Sequence, residues 1–236
     1  MKKITYLLSM MCLAVCLAFQ SCDDSEGYSL GDFTAPQLAT VRSVGVNSFY
    51  LDCDVWGTCW PVNTDLGWYT PIDGQRVVTV FNPLWDNYEG YDHAVKILQM
   101  QNVLTLNVEP MTSEDEDKFG TEAIPTTEDG ISISNGYLNV FFSCRLPATT
   151  SVNLVYRKDD LTQTTTVSPE EDGYIHLELR CNTQAEEELP GSYSAVSYSL
   201  STLDGNSGTK GIKLKVNLAD AGEKELVYTL VQEEEH

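Results

Sequence analysis

Cysteine is the residue type with the most chemistry open to it in this chain, and its seven copies fall into three groups. Cys12 and Cys16 lie inside an apolar run, Ile4 to Phe19, that follows Lys2 and Lys3. A basic start, then an apolar stretch shorter than the roughly 20 residues of a spanning helix, is the pattern of an export signal. Cys22 closes that segment. In Leu17-Ala18-Phe19-Gln20-Ser21-Cys22 the small Ser21 precedes the thiol as in a lipobox, where the sulfur takes a diacylglycerol before the signal is cleaved. Residues 1–21 are thus expected to be a lipoprotein signal peptide, with lipid attachment at Cys22. Two or more acyl chains hold a protein on a bilayer for long periods, so this thiol would make a membrane lipid its partner.

Cys53, Cys59, Cys144 and Cys181 remain. Four cysteines allow three pairings, and an exported chain permits any of them or four reduced thiols. Strand phase favours Cys144 with Cys181. Leu138, Val140, Phe142 and Cys144 share one face of a strand, as do Ile175, Leu177, Leu179 and Cys181 of another, so both thiols are expected to enter one core. Cys53 with Cys59 is the second expected disulfide, closing a tight loop. Metal binding is not expected, because a Cys-x5-Cys spacing is not that of a zinc site and no histidine is near. His93, His176 and His236 are the only histidines, and His176 is expected on the outward face of its strand. No nucleophile elbow, zinc-protease helix, phosphate-cradling glycine loop or calcium loop occurs, so no catalytic residue and no cofactor is expected.

Formal net charge is -21 with a pI near 4.2, and loss of Lys2 and Lys3 with the signal makes the balance more negative still. That charge argues against nucleic acid as a partner and suits a cationic protein or peptide. Aromatic residues concentrate in the first half: Trp56, Trp60, Trp68, Tyr69, Trp85, Tyr88 and Tyr91. Rigid amphipathic rings in loops make sugar-stacking platforms or protein hot spots. The competing reading is that they pack loops onto a small core.

The elements that must position these residues are strands. Residues 22–37 are acidic with Gly27, Gly31 and Pro36, and read as a lipid-anchored tether. Residues 38–111 hold five expected strands: Val41 to Val46; Phe49 to Val55, ended by Gly57; Arg76 to Phe81, closed by Asn82-Pro83; Tyr91 to Gln99; and Val103 to Val108. Five strands in so short a stretch suit an OB-like small barrel. Residues 112–236 begin with the acidic run Ser113 to Asp117, a boundary or a short helical turn. Seven strands follow: Ile131 to Ser134, Tyr137 to Arg145, Ser151 to Arg157, Tyr174 to Cys181, Tyr193 to Leu200, Lys210 to Leu218 and Leu226 to Val231. Short strands joined by Gly, Asp and Pro turns indicate an Ig-like β-sandwich. The fold class is all-β.

Three short segments carry a family resemblance: Asp73-Gly74-Gln75-Arg76-Val77, Gly90-Tyr91-Asp92 and Asn135-Gly136-Tyr137-Leu138-Asn139-Val140. With the export signal, the barrel and the sandwich in this order, the chain resembles the NigD-like proteins, lipoproteins of gut and oral Gram-negative anaerobes associated with bacteriocin immunity. The resemblance implies a non-enzymatic lipoprotein of the cell outer membrane, exposed at the surface, that binds a bacteriocin or other protein or peptide. A surface glycan-binding module, or a structural component of an outer-membrane complex, is the alternative. The resemblance assigns no catalytic residues. The Cys53 and Cys59 pair and the surrounding tryptophans lie outside its pattern.

Overall fold

Alternation builds the first unit. In β1 (Gln37–Gly45) and β2 (Ser48–Cys53), Ala39, Val41, Phe49, Leu51 and Cys53 turn inward while their neighbours turn out. With β3 (Gly57–Pro61), β4 (Arg76–Tyr88) and β5 (Tyr91–Asn102), these strands close into a barrel of order β1-β2-β3-β5-β4. Only β3 and β5 run parallel. The computed structural model describes residues 36–45, 48–63, 66–158, 169–185, 189, 191–203 and 209–229. The expected signal, Cys22 and the tether up to residue 35 lie outside the described residues.

Three expectations for this unit change. The segment after Gly57 is a strand, which Gly57 enters at φ +65; a β-carbon there would meet Asp92 Oδ2 at 2.5 Å. Asn82-Pro83 does not end β4, which continues to Tyr88. Pro83 stands beside a β4–β5 register shift, between Pro83 and Trp85, the kind of irregularity where a strand tolerates a proline. Finally, the barrel ends at Asn102. The chain beyond it forms β6 (Leu104–Asn107) and β7 (Glu109–Met111), which pair with sandwich strands, so the boundary lies near residue 103 and not at 111. Alternation reports that one face is buried but not which sheet buries it.

The acidic run leads into a four-residue α-helix, α1 (Glu116–Phe119), whose Phe119 is buried against Met111 and Val155. Then come β8 (Ile131–Ser134), β9 (Tyr137–Leu146), β10 (Ser151–Arg157), β11 (Tyr174–Asn182), β12 (Tyr193–Ser199), β13 (Gly211–Leu218) and β14 (Gly222–Thr229). A five-stranded sheet, β14-β13-β11-β10-β7, packs on a four-stranded one, β6-β12-β9-β8. Leu138, Val140, Leu154, Ile175, Leu177 and Leu214 fill the space between, each worth about 1.5–3 kcal/mol when fully buried. Two phenols tie the sheets together: Tyr198 donates to Val152 O at 2.5 Å and Tyr193 to Thr150 O at 2.9 Å.

The cysteines depart from expectation. Cys181 faces the core, but Cys144 is exposed. From Phe141 to Leu146 β9 advances five residues while β12 retreats two, from Ala195 to Tyr193. This bulge breaks the alternation after Phe142 and turns Cys144 outward, so the expected Cys144–Cys181 disulfide is absent. Cys53 and Cys59 do meet inside the barrel, as free thiols. Cys59 stands opposite Leu51 and Cys53 opposite Gly57, so the two are diagonal neighbours. Diagonal positions lie about 7–8 Å apart along the backbone, whereas a disulfide draws β-carbons to about 4 Å. The hydrogen bond with Cys59, followed by burial, raises the Cys53 thiol well above its ordinary value.

Candidate functional site

The outer face of the barrel carries two adjoining rows of side chains, and the strand register sets both. Asp52 pairs with Thr58 across β2 and β3. Thr58 in turn donates from its backbone N–H and its hydroxyl to Asp92 Oδ2 on β5, both at 2.7 Å. These two bonds hold the Asp92 carboxyl below the usual carboxylate range although it is exposed. One step along the strands, Trp60 pairs with Ala94 and Ala94 with Trp85. Tyr50, outward between the buried Phe49 and Leu51, extends this second row on β2.

Rings cover the second row. Tyr91 lies 4.9 Å from Trp60 and 5.2 Å from Tyr50, between ring centroids. Trp85 stacks on Tyr88 at 6.1 Å, and Tyr88 is the cross-strand partner of Tyr91 at the β4–β5 hairpin end. Beneath the rings Ala94 has no exposed surface, while Trp85 remains 58% exposed. The result is an apolar aromatic platform bordered by Asp92. Asp86, the residue after Trp85, holds His93 Nδ1 at 2.7 Å.

The seven aromatics singled out in the sequence divide. Trp60, Trp85, Tyr88 and Tyr91 join the platform. Trp56 is half-buried and packs on the barrel core, meeting Phe81 edge-on at 5.6 Å and His93 at 5.1 Å. Tyr69 closes the barrel mouth against Phe49 at 5.5 Å, and Trp68 leans on it, largely exposed. Between Trp60, Phe49 and Tyr69 lies an open cleft of about 440 Å³, edged by Ser48 and Asn63. Sequence reading passed over Tyr50 and Ala94. The signal for Tyr50 was its outward phase between inward Phe49 and Leu51; Ala94 gave none until its register partners were known.

A buried polar node fixes this barrel to the sandwich. Arg76 has no exposed surface and makes a two-point bond to Asp54, Nη1 to Oδ1 at 2.7 Å and Nη2 to Oδ2 at 2.6 Å. It also donates to Thr40 Oγ1 at 3.1 Å and to Asn139 Oδ1 of the sandwich at 3.2 Å, and lies over the Tyr137 ring. Asn139 accepts from Ser197 and donates to Ser134, whose hydroxyl reaches Asp54. Tyr137 donates to Gly74 O.

His176 lies half-exposed with Nε2 3.0 Å from Asp172, which also accepts from Lys213 Nζ at 2.7 Å. This is a charge ladder on the outer face of the sandwich. Among the described residues no set of three His, Cys, Asp or Glu side chains could hold a metal ion, and no helix is long and apolar enough to cross a membrane.

Known proteins share this architecture. A protein of unknown function from Bacteroides vulgatus is 24% identical, with a TM-score of 0.67 over 84% of this chain and 92% of its own. A NigD-like immunity protein from Bacteroides caccae is 18% identical, with a TM-score of 0.53 over 86% of this chain and 99% of its own. A candidate lipoprotein from Bacteroides fragilis is 12% identical, with a TM-score of 0.50 over 82% and 96%. At these identities the likeness is one of fold. No curated protein matches the chain. The NigD-like N-terminal OB domain matches residues 38–103 and the NigD-like C-terminal β-sandwich domain residues 107–230, neither of them an enzyme domain. With both domains present in order over most of its length, the chain belongs to the NigD-like family.

Proposed function

We propose that this protein is a non-enzymatic lipoprotein, held by an acylated Cys22 on the outer membrane and exposed at the cell surface, that binds a cationic protein or peptide of bacteriocin type. The observation that carries this reading is the pairing of an aromatic row, exposed at Trp85, with a carboxylate row on one face of the barrel, in a chain of net charge -21. Rigid rings supply contact area at low entropic cost, and the surplus negative charge steers a basic ligand. The structural relative described as an immunity protein agrees with this reading. Deleting the gene should sensitise the host to a cationic bacteriocin, and the purified protein should bind that bacteriocin more weakly as salt rises. Unchanged sensitivity, or binding indifferent to salt, overturns it. Cys22→Ala should abolish labelling by a fatty acid.

The cleft beside Trp60 favours a second reading, capture of a surface glycan, since its size and its mixed wall of rings, Ser48 and Asn63 suit a sugar. A glycan array compared with Trp60→Ala and Trp68→Ala variants decides between them.

A further inference from the structure

We infer that the group this barrel face reads is the arginine guanidinium, and that its ligand is an arginine-rich protein or peptide segment. This rests on the cationic-ligand reading above and narrows it.

A guanidinium is a flat ion whose N–H groups point outward in its own plane. It can stack flat on an aromatic face with its donors still in the plane for a carboxylate, whereas a lysine ammonium is a compact, strongly hydrated point charge with no flat face to stack. The barrel face offers both halves of that contact in fixed positions. Trp60 and Trp85 flank Ala94 in one cross-sheet row, and the fully covered Ala94 leaves no polar floor between them. The strands on either side of β5 stand about 10 Å apart, so the two indoles flank the covered Ala94 with room for a flat group and its methylene stem. Asp92 projects from the same face of β5 two residues before Ala94, about 7 Å along the strand. That puts the carboxylate beside, and not beneath, a guanidinium stacked on the row. Thr58 binds only Oδ2 of this carboxylate, fixing its direction without neutralising it.

Local charge agrees. Arg42 lies against Asp52 at 3.4 Å, and Lys96 stands on the far side of Ala94 from Asp92, so an arriving cation is drawn to the Asp92 side. Ring order agrees as well. Tyr91 braces Trp60, and Tyr88 braces Trp85, so both indoles are held before a ligand arrives. Bracing reduces the entropy lost on binding.

The test measures binding of fluorescent oligoarginine and oligolysine peptides of equal length to the mature chain. Oligoarginine should bind about tenfold more tightly, a difference of about 1.4 kcal/mol. Trp85→Ala and Trp60→Phe should each erode that preference while leaving oligolysine binding in place, and Asp92→Asn should weaken both peptides. Trp85 is exposed enough that an unchanged thermal melt will show its variant folded. Equal, salt-sensitive binding of both peptides overturns the stacking inference and leaves the cationic-ligand reading standing. Binding of neither peptide, or glycan binding lost with Trp60 in its place, overturns both.

Discussion

Cys144 and Cys181 end two strands whose alternation looks the same on paper, and one bulge gives them opposite surroundings. A bulge inserts residues without any required change of residue type, so Ser143, Cys144 and Arg145 do not announce it. The buried state of Cys181 was legible, because every second residue of β11 is apolar. The two differ in reactivity accordingly. Iodoacetamide should label Cys144 in the native protein at neutral pH, while Cys53, Cys59 and Cys181 react only after denaturation; peptide mass mapping distinguishes the four. Protection of native Cys144 would restore its disulfide. Burial also pushes the Cys181 thiol up to about 11 and the Tyr193 and Tyr228 hydroxyls up to about 12. The folded state keeps these protons at a pH where the unfolded chain releases them. Their contribution to stability is therefore full below about pH 9 and falls away as pH rises through 9 to 12. Urea midpoints measured from pH 7 upward should show the decline, and Tyr228→Phe should make it shallower. A midpoint constant to pH 11 would contradict these shifts.

At the level of elements, β8 and β10 begin and end where the sequence pattern places them, because turn residues bracket a clean alternation on both sides. The pattern fails where a strand's partner is distant or its break is only apparent. Gly57 reads as a stop and serves as a strand entry; Leu104 and Leu106 read as barrel and belong to the sandwich. Glycines separate the two situations experimentally. Gly211 begins β13 at φ +152, with Tyr228 O of β14 only 2.0 Å from where a β-carbon would sit. Gly74 has φ +77 in a turn, with nothing within 4 Å. Gly211→Ala should therefore force β14 away from β13 and cost about 3 kcal/mol or more, while Gly74→Ala pays only the left-handed backbone penalty of about 1 kcal/mol. Urea denaturation of both variants checks the contrast, and equal losses would mean that the close approach at Gly211 relaxes freely.

Across the whole molecule, the three segments that carry the family resemblance turn out to have spatial reasons. Gly74 and Arg76 come from the first, Tyr137 and Asn139 from the third, and all four meet at the node that joins barrel to sandwich. Tyr91 and Asp92 of the second lie on the candidate site. Nothing in their linear order foretold that Arg76 would be buried, since an arginine opening a strand ordinarily faces water. Its burial makes the two domains interdependent. Replacing it by methionine removes the charge that offsets Asp54 and leaves that carboxylate, the Asn139 amide oxygen and Thr40 short of a donor. Loss of one partner of a buried ion pair costs about 3–5 kcal/mol, and domains move relative to each other by default unless their interface is large and apolar. The native protein should therefore melt in a single calorimetric transition, and Arg76→Met should melt in two, the barrel first because it has the smaller core. Adding Asp54→Leu to Arg76→Met should recover part of the lost stability by removing the stranded charge, yet leave the two transitions apart, because the bonds from Arg76 to Asn139 and from Ser134 to Asp54 are then both missing. Two transitions in the unaltered protein, or one in the Arg76→Met variant, would show that the domains are coupled by something other than this node.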